Sequence, residues 1–322
     1  LFGVGDQAGF QFGGIGLMIR EPRTEIAIGG AGRLEIEGSE TASIRESVER
    51  WFVWQRPNLK SQLGFEISAV DDLPVCLKLV SMPARHQGLG TGTQIAFATA
   101  LALNSGFGLG IPGAEEFSIA LNRGGRSAIG SFGFFLGGLL VDRGKCSGDQ
   151  ISPLDFRTDF PTDWPILMFL ERDATRVGLS GQSELVAFDQ LLPTSESDRQ
   201  DMVNIVQNEI LSGLMQKNYE SFGEALYQFG RKSGLLFASV QYGAYHSQPV
   251  VDLVEFVRAC GYPAVGQSSW GPGVFAILPS NDRRAELIQQ IEKRFPDRYQ
   301  ITSTTADNQG AVITEAGVGR TP

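Results

Sequence analysis

The residues best suited to chemistry in this 322-residue chain are Gly88-Leu89-Gly90-Thr91-Gly92-Thr93, set directly before the apolar, alanine-rich run Ile95–Leu103. Glycine lets the backbone take positive φ and approach an anion, and the free N–H groups of a helix start, aided by its dipole, donate to that anion. A phosphate or diphosphate is the predicted guest. Gln94 stands where a Walker-type loop carries lysine, which excludes the P-loop nucleotide site. An ordinary glycine turn with Thr91 or Thr93 as helix cap is the competing reading.

Other residues offer themselves beside this loop. Gly266-Gln267-Ser268-Ser269-Trp270-Gly271-Pro272 is a second glycine-flanked polar turn whose hydroxyls suit phosphate oxygens. Its indole either stacks on a flat ring or fills a core, and Phe132 and Tyr242 are weaker stacking candidates. Arg126, in Gly125-Arg126-Ser127, either clamps a phosphate or carboxylate or ties its loop to a surface carboxylate. His86 either meets substrate or is satisfied by backbone. Asp142, after an apolar run, is a magnesium ligand or a plain turn former. Glu184 reads as a helix-capping residue, and Arg20, Arg85 and Arg123 remain unassigned cations that suit a phosphate.

These residues must be positioned by regular elements. Phe10–Ile19 and Glu25–Glu37 alternate between glycines and predict antiparallel strands and turns. A helix capped by Ser39 or Thr41 follows, with Ile44, Val48, Trp51 and Phe52 on one face. Phe65–Ala69 and Val75–Ser81 predict two strands, Ile95–Leu103 a helix buried nearly all round, Ala114–Leu121 a helix, and Gly130–Val141 a glycine-broken strand pair ending at Asp142. Polar and proline residues cluster at Gly144–Pro165, where a domain boundary is expected. Beyond it, strands at Ile166–Leu170 and Gly273–Ile277 alternate with helices at Ser197–Leu214, Tyr219–Phe229, Val250–Cys260 and Asp282–Phe295. A terminal strand with a frayed end is expected from Ser303. The pattern lacks a Rossmann fingerprint and fits an α+β sandwich.

Composition bounds the function. With 42% hydrophobic residues the chain can bury a full core, and 27 Lys+Arg against 36 Asp+Glu give a formal charge of -9. That balance argues against nucleic acid or an anionic membrane as the main partner. Cys76, Cys146 and Cys260 are too scattered for a disulfide framework or zinc cluster and are expected reduced and buried. Two histidines exclude a histidine-rich metal site. Any metal would be a hard cation, most simply magnesium carried on a phosphate. No run reaches the roughly 20 apolar residues of a bilayer span, so a cytoplasmic protein is expected. The chain opens at Leu1 without methionine, so residues are expected upstream. Enzymes of this size often pair as homodimers, but nothing in the residues locates an interface.

Pro83 followed by Gly88-Leu89-Gly90-Thr91-Gly92-Thr93 resembles the phosphate-binding motif of the GHMP kinase superfamily, with one extra residue after Pro83 and Gly92-Thr93-Gln94 where a kinase carries Ser-Ala-Ala. Four segments narrow the resemblance: His86–Gln94, Gly125–Gly130 leading to Gly137–Asp142, Gln241–Tyr245 and Gly266–Pro272. They are similar to motifs of the β-ribofuranosylaminobenzene 5′-phosphate synthase family, over most of the chain. The resemblance implies a GHMP-kinase-like two-domain α+β fold. A mixed βαβ domain with the anion loop would span residues 1–155, and a ferredoxin-like α/β sandwich residues 156–322.

It also implies a magnesium-dependent ribosyltransferase that condenses 4-aminobenzoate or 4-hydroxybenzoate with phosphoribosyl pyrophosphate, losing carbon dioxide and pyrophosphate, on the route to methanopterin-type cofactors. In those terms Arg126, Ser127 and Ser269 are the expected catalytic residues. Gly88, Leu89, Gly90, Thr91, Gly92, Thr93 and Ser268 would hold phosphate; His86, Gln94, Gln267, Trp270 and Gly271 would contact substrate; Asp142 would hold the metal. Two alternatives remain: an ATP-dependent GHMP-type small-molecule kinase, and a non-catalytic phosphometabolite sensor.

Overall fold

The computed structural model describes residues 1–3, 10–172, 191, 193–269 and 271–315. The first half runs β1 (Gly14–Leu17), β2 (Glu25–Gly30), β3 (Glu35–Glu37), α1 (Thr41–Leu63), β4 (Val75–Ser81), α2 (Thr91–Gly106), α3 (Ala114–Ala120), α4 (Ile129–Leu136), β5 (Leu139–Asp142) and β6 (Leu154–Thr158). The second runs β7 (Ile166–Glu171), α5 (Glu196–Asn204), a π-helical segment (Ile205–Ile210), α6 (Leu211–Met215), α7 (Tyr219–Leu235), α8 (Gln248–Ala259), β8 (Val265–Gln267), β9 (Val274–Ile277), α9 (Arg283–Arg294) and β10 (Tyr299–Thr304).

Two small sheets build the first half, ordered β1-β5-β6 and β2-β4-β3. The apolar stripe of α1 packs on α2: Ile44, Val48 and Trp51 are fully buried, as are Ile95, Phe97, Ala100 and Leu103. Trp51 stacks on Phe107 and donates its indole N–H to Asn104 Oδ1 at 2.6 Å, satisfying its one polar atom in the core. This packing fixes α2, and with it the glycine loop at its start.

The second half forms a four-stranded antiparallel sheet, β10-β7-β9-β8. In the local order of its strands this is the ferredoxin-like arrangement, with the first strand between the fourth and third. Successive residues of β7 serve opposite faces. Ile166 and Met168 join a core with α5, α7 and β5, whereas Leu167 and Phe169 pack with α8 and α9. Because Leu139 and Val141 of β5 belong to the first of these cores, the two halves share apolar interior. The chain end returns to the first half: Ala311 N–H donates to Phe134 O and Arg157 Nη2 donates to Asn308 O, both at 2.6 Å.

Several elements differ from their sequence reading. Gly130–Val141 is the helix α4 followed by β5, because Phe134 packs edge-on to Phe97 and Phe135, and a Cβ on Gly133 would stand only 2.4 Å from Met18 Sδ. Helical spacing brings those groups inward. β4 inserts between β2 and β3 and runs parallel to β3, so Glu25–Glu37 is not a simple hairpin. Phe65 is exposed and Phe65–Ala69 forms no strand. Helix α1 is entered through Glu40 in the left-handed region, without a side-chain cap from Ser39 or Thr41. The expected boundary between residues 155 and 156 falls inside β6, which pairs with β5 and stays with the first half. Cys76 and Cys260 are partly buried and Cys146 is exposed, all three as free thiols.

Candidate anion site at the start of helix α2

The glycine loop enters α2 through Gly90, which takes φ 64° at the cap position with no side-chain cap, so neither Thr91 nor Thr93 caps the helix. Thr93 N–H and Gln94 N–H return to Gly90 O at 3.0 and 3.2 Å. The amides of Gly88, Leu89, Gly90, Thr91 and Gly92 donate to no acceptor among the described residues. A run of unpaired N–H groups at a helix start is the arrangement that anions occupy. Thr91 is buried, and its Oγ1 lacks a hydrogen-bond partner among the described residues, as does Gln87 Oε1.

The second polar turn closes on this loop from the other half. Ser268 Oγ donates to Gly88 O at 2.8 Å, and a Cβ on Gly88 would lie 1.8 Å from Ser268 O. A Cβ on Gly271 would stand 2.3 Å from the carbonyl carbon of Gln87, and one on Gly273 2.5 Å from Gln87 O. These glycines are required by backbone-to-backbone contact. Ser268 N–H donates to Gly273 O at 2.8 Å, and Ser269 holds φ 52° at the tip of the turn. Leu89 packs against the core that Ile166 and Met168 share with α5, α7 and β5.

Two side-chain amides tie in the remaining segments. Gln94 Nε2 donates to Gly130 O at 3.2 Å, and Thr93 packs on Gly130, joining the starts of α2 and α4. Gln267 Nε2 donates to Ser269 O at 2.8 Å while its Oε1 accepts from His246 N–H at 2.6 Å, linking the Gln241–Tyr245 segment to the turn. Both glutamines therefore position backbone. His86 sits half-buried in the loop at φ 61°. Trp270 and Glu184 lie outside the described residues; Phe132 is half-buried and Tyr242 exposed.

The charged groups sort differently from expectation. Asp142 is fully buried: Oδ2 accepts from Ala128 N–H at 3.0 Å and Ser127 Oγ at 3.1 Å, and Oδ1 from Ser152 Oγ at 2.8 Å and Gly144 N–H at 3.2 Å. Burial pushes its carboxyl above the usual aspartate range, against the pull of those four donors. With both oxygens committed inside the protein it ties β5 to the start of α4, and no coordination position is left for magnesium. Ser127, which also accepts from Ile129 N–H at 3.3 Å, belongs to the same tie. No group of three or more His, Cys, Asp or Glu side chains arranged to hold a metal occurs among the described residues.

Arg126 is half-buried and already engaged. Arg85 pairs with Glu40 at 2.6 Å, and Arg20 is exposed. Arg123 is the cation at the loop: its Nη1 lies 3.8 Å from a Cβ built on Gly92. It was only one of three unassigned arginines in the sequence, with nothing in its spacing to single it out.

Residues 210–297 match the GHMP kinases C-terminal family. Among solved structures, phosphomevalonate kinase of Streptococcus pneumoniae aligns with TM-score 0.64 at 12% identity, covering 94% of this chain and 96% of that one. Mevalonate pyrophosphate decarboxylase of Streptococcus pyogenes aligns with TM-score 0.63 at 14% identity, covering 94% and 90%. At such identities the likeness establishes the GHMP-type α+β fold. The β-ribofuranosylphenol 5′-phosphate synthase of Archaeoglobus fulgidus is 29% identical over 325 residues, covering 94% of this chain and 91% of its own. That of Methanothermobacter thermautotrophicus is 25% identical over 316 residues, with the same coverage. The chain is similar to these synthases over nearly its whole length.

Similarity to these β-ribofuranosylphenol 5′-phosphate synthases, on a GHMP-type fold, supports an enzyme. The likeness to those synthases covers 94% of the chain and so reaches into both halves. No helix among the described residues is long and apolar enough to cross a membrane.

Proposed function

We propose that this chain condenses phosphoribosyl pyrophosphate with a 4-substituted benzoate, releasing carbon dioxide and pyrophosphate. The observation that carries this reading is the convergence of segments from both halves on one row of unpaired amides, Gly88 to Gly92. In the reaction the bond from ribose C1 to the pyrophosphate oxygen breaks, and its electrons leave with the pyrophosphate. The ring carbon bearing the carboxylate bonds to C1, and the carboxylate then departs as carbon dioxide, its bonding electrons restoring the aromatic ring. Such a reaction requires stabilisation of the leaving anion and exact placement of a flat ring, with no strong base at the reacting carbon. Oriented amides supply the first requirement without reorganisation.

The relatives are named for a ribofuranosylphenol, the product that 4-hydroxybenzoate would give, and 4-aminobenzoate would give the aminobenzene. The phenolic acid is therefore the first acceptor to test. Magnesium is proposed to arrive on the pyrophosphate oxygens. Purified protein with phosphoribosyl pyrophosphate, magnesium and carboxyl-labelled 4-hydroxybenzoate or 4-aminobenzoate is expected to release labelled carbon dioxide. Release from neither acid, together with thermal stabilisation by magnesium ATP alone, would establish the kinase alternative instead.

A further inference from the structure

Resting on the proposed pyrophosphate chemistry, we infer that Arg123 is a positioning residue that grips the same diphosphate as the glycine loop, from the α3 side of helix α2. The chain turns sharply at this arginine: Arg123 N–H returns to Ser118 O at 2.7 Å, and its neighbours Asn122 and Gly124 have φ 53° and 76°. That turn carries the side chain back to the first turn of α2. Gly92 has no side chain to stand in its way, and Nη1 lies within 3.8 Å of where a Cβ would be.

The guanidinium reaches this place without compensation from the described residues. Its Nε is buried and has no hydrogen-bond partner, and it forms no salt bridge among the described residues. The nearby carboxylates are already in use, Glu46 by Arg50 at 2.9 Å and Glu40 by Arg85 at 2.6 Å. Three arginines therefore face two carboxylates around the start of α2. Burial lowers the proton affinity of Arg123, and Arg50 and Arg85 add to that effect while Glu46 opposes it. A partly buried, unpaired guanidinium is costly unless an anion completes it. Thr91, buried at the first position of α2 with Oγ1 unpartnered, leaves a second polar group open at the same end. A diphosphate in the amide row matches this set, because a guanidinium fork binds two phosphate oxygens at once.

The test is calorimetric titration of inorganic pyrophosphate, and separately of ribose 5-phosphate, into the wild-type chain, Arg123→Gln and Arg123→Lys. The expected result is a loss of about tenfold or more in pyrophosphate affinity for Arg123→Gln, with part of it recovered by Arg123→Lys. Melting temperature and ribose 5-phosphate affinity should stay near wild type. Arg123→Met, which keeps the apolar stem, secures the measurement if the glutamine variant does not fold. Equal pyrophosphate affinity in wild type and variants would overturn the role of Arg123 and leave the amide loop standing. Loss confined to ribose 5-phosphate would overturn it too. Failure of the wild type to bind pyrophosphate would remove both the arginine's role and the loop's.

Discussion

Ser268 Oγ donates to the carbonyl oxygen of Gly88 at 2.8 Å across 180 residues of sequence, so the anion loop of one half is held by a turn of the other. This bond turns the carbonyl of Gly88 toward the second half, and Gly88 can approach so closely only without a Cβ. Two glycines of the same loop should therefore respond very differently to alanine.

Gly88→Ala would place a methyl group 1.8 Å from Ser268 O at φ 80°. Separation of loop and turn is expected, with a stability loss of about 3 kcal/mol or more and no pyrophosphate binding. Gly90→Ala meets nothing within 4 Å and has only its φ of 64° to bear. Its expected cost is about 1 kcal/mol. Urea unfolding of both variants checks the contrast, and similar losses would show that the two segments are not interlocked.

Asp142→Asn tests whether that carboxylate is structural. Replacing one oxygen by an amide NH2 leaves donors such as Ala128 N–H and Ser127 Oγ facing another donor. A destabilisation of about 2–4 kcal/mol is expected. It should be the same with magnesium or with chelator. A variant of normal stability that needed far more magnesium for turnover would restore the metal-ligand role.

Trp270→Ala separates ring binding from phosphate binding. The indole lies in sequence between Ser269 and Gly271, whose turn meets the loop. The Michaelis constant for the aromatic acid should rise about tenfold, with that for phosphoribosyl pyrophosphate changed far less. Equal increases for both substrates would remove the stacking role.

Much of this was legible in the sequence because it is local. The glycines and apolar run that make α2 and its bare entrance adjoin one another, and β7, β9 and the helices of the second half follow from their own apolar spacing, whereas β8 was not foreseen and the ferredoxin-like sheet was expected only from the family resemblance. Contacts between distant segments were not legible. Gly130–Val141 reads as strands by its phenylalanines and glycines, and only the packing of Phe134 on Phe97 and of Gly133 on Met18 makes it a helix. Arg126 stood out within a motif, but the three-dimensional turn at Asn122–Gly124 brings Arg123 to the loop instead. Asp142 likewise reads in sequence as a magnesium ligand or a turn former, and is closed in by donors from three surrounding segments.

The most direct measurement is a crystal structure of the chain soaked in pyrophosphate. Density for the diphosphate is expected at the first turn of α2, its oxygens within hydrogen-bonding distance of the Gly88–Gly92 amides. An empty loop whose amides have turned onto protein acceptors, with the anion elsewhere or absent, would contradict the proposed chemistry.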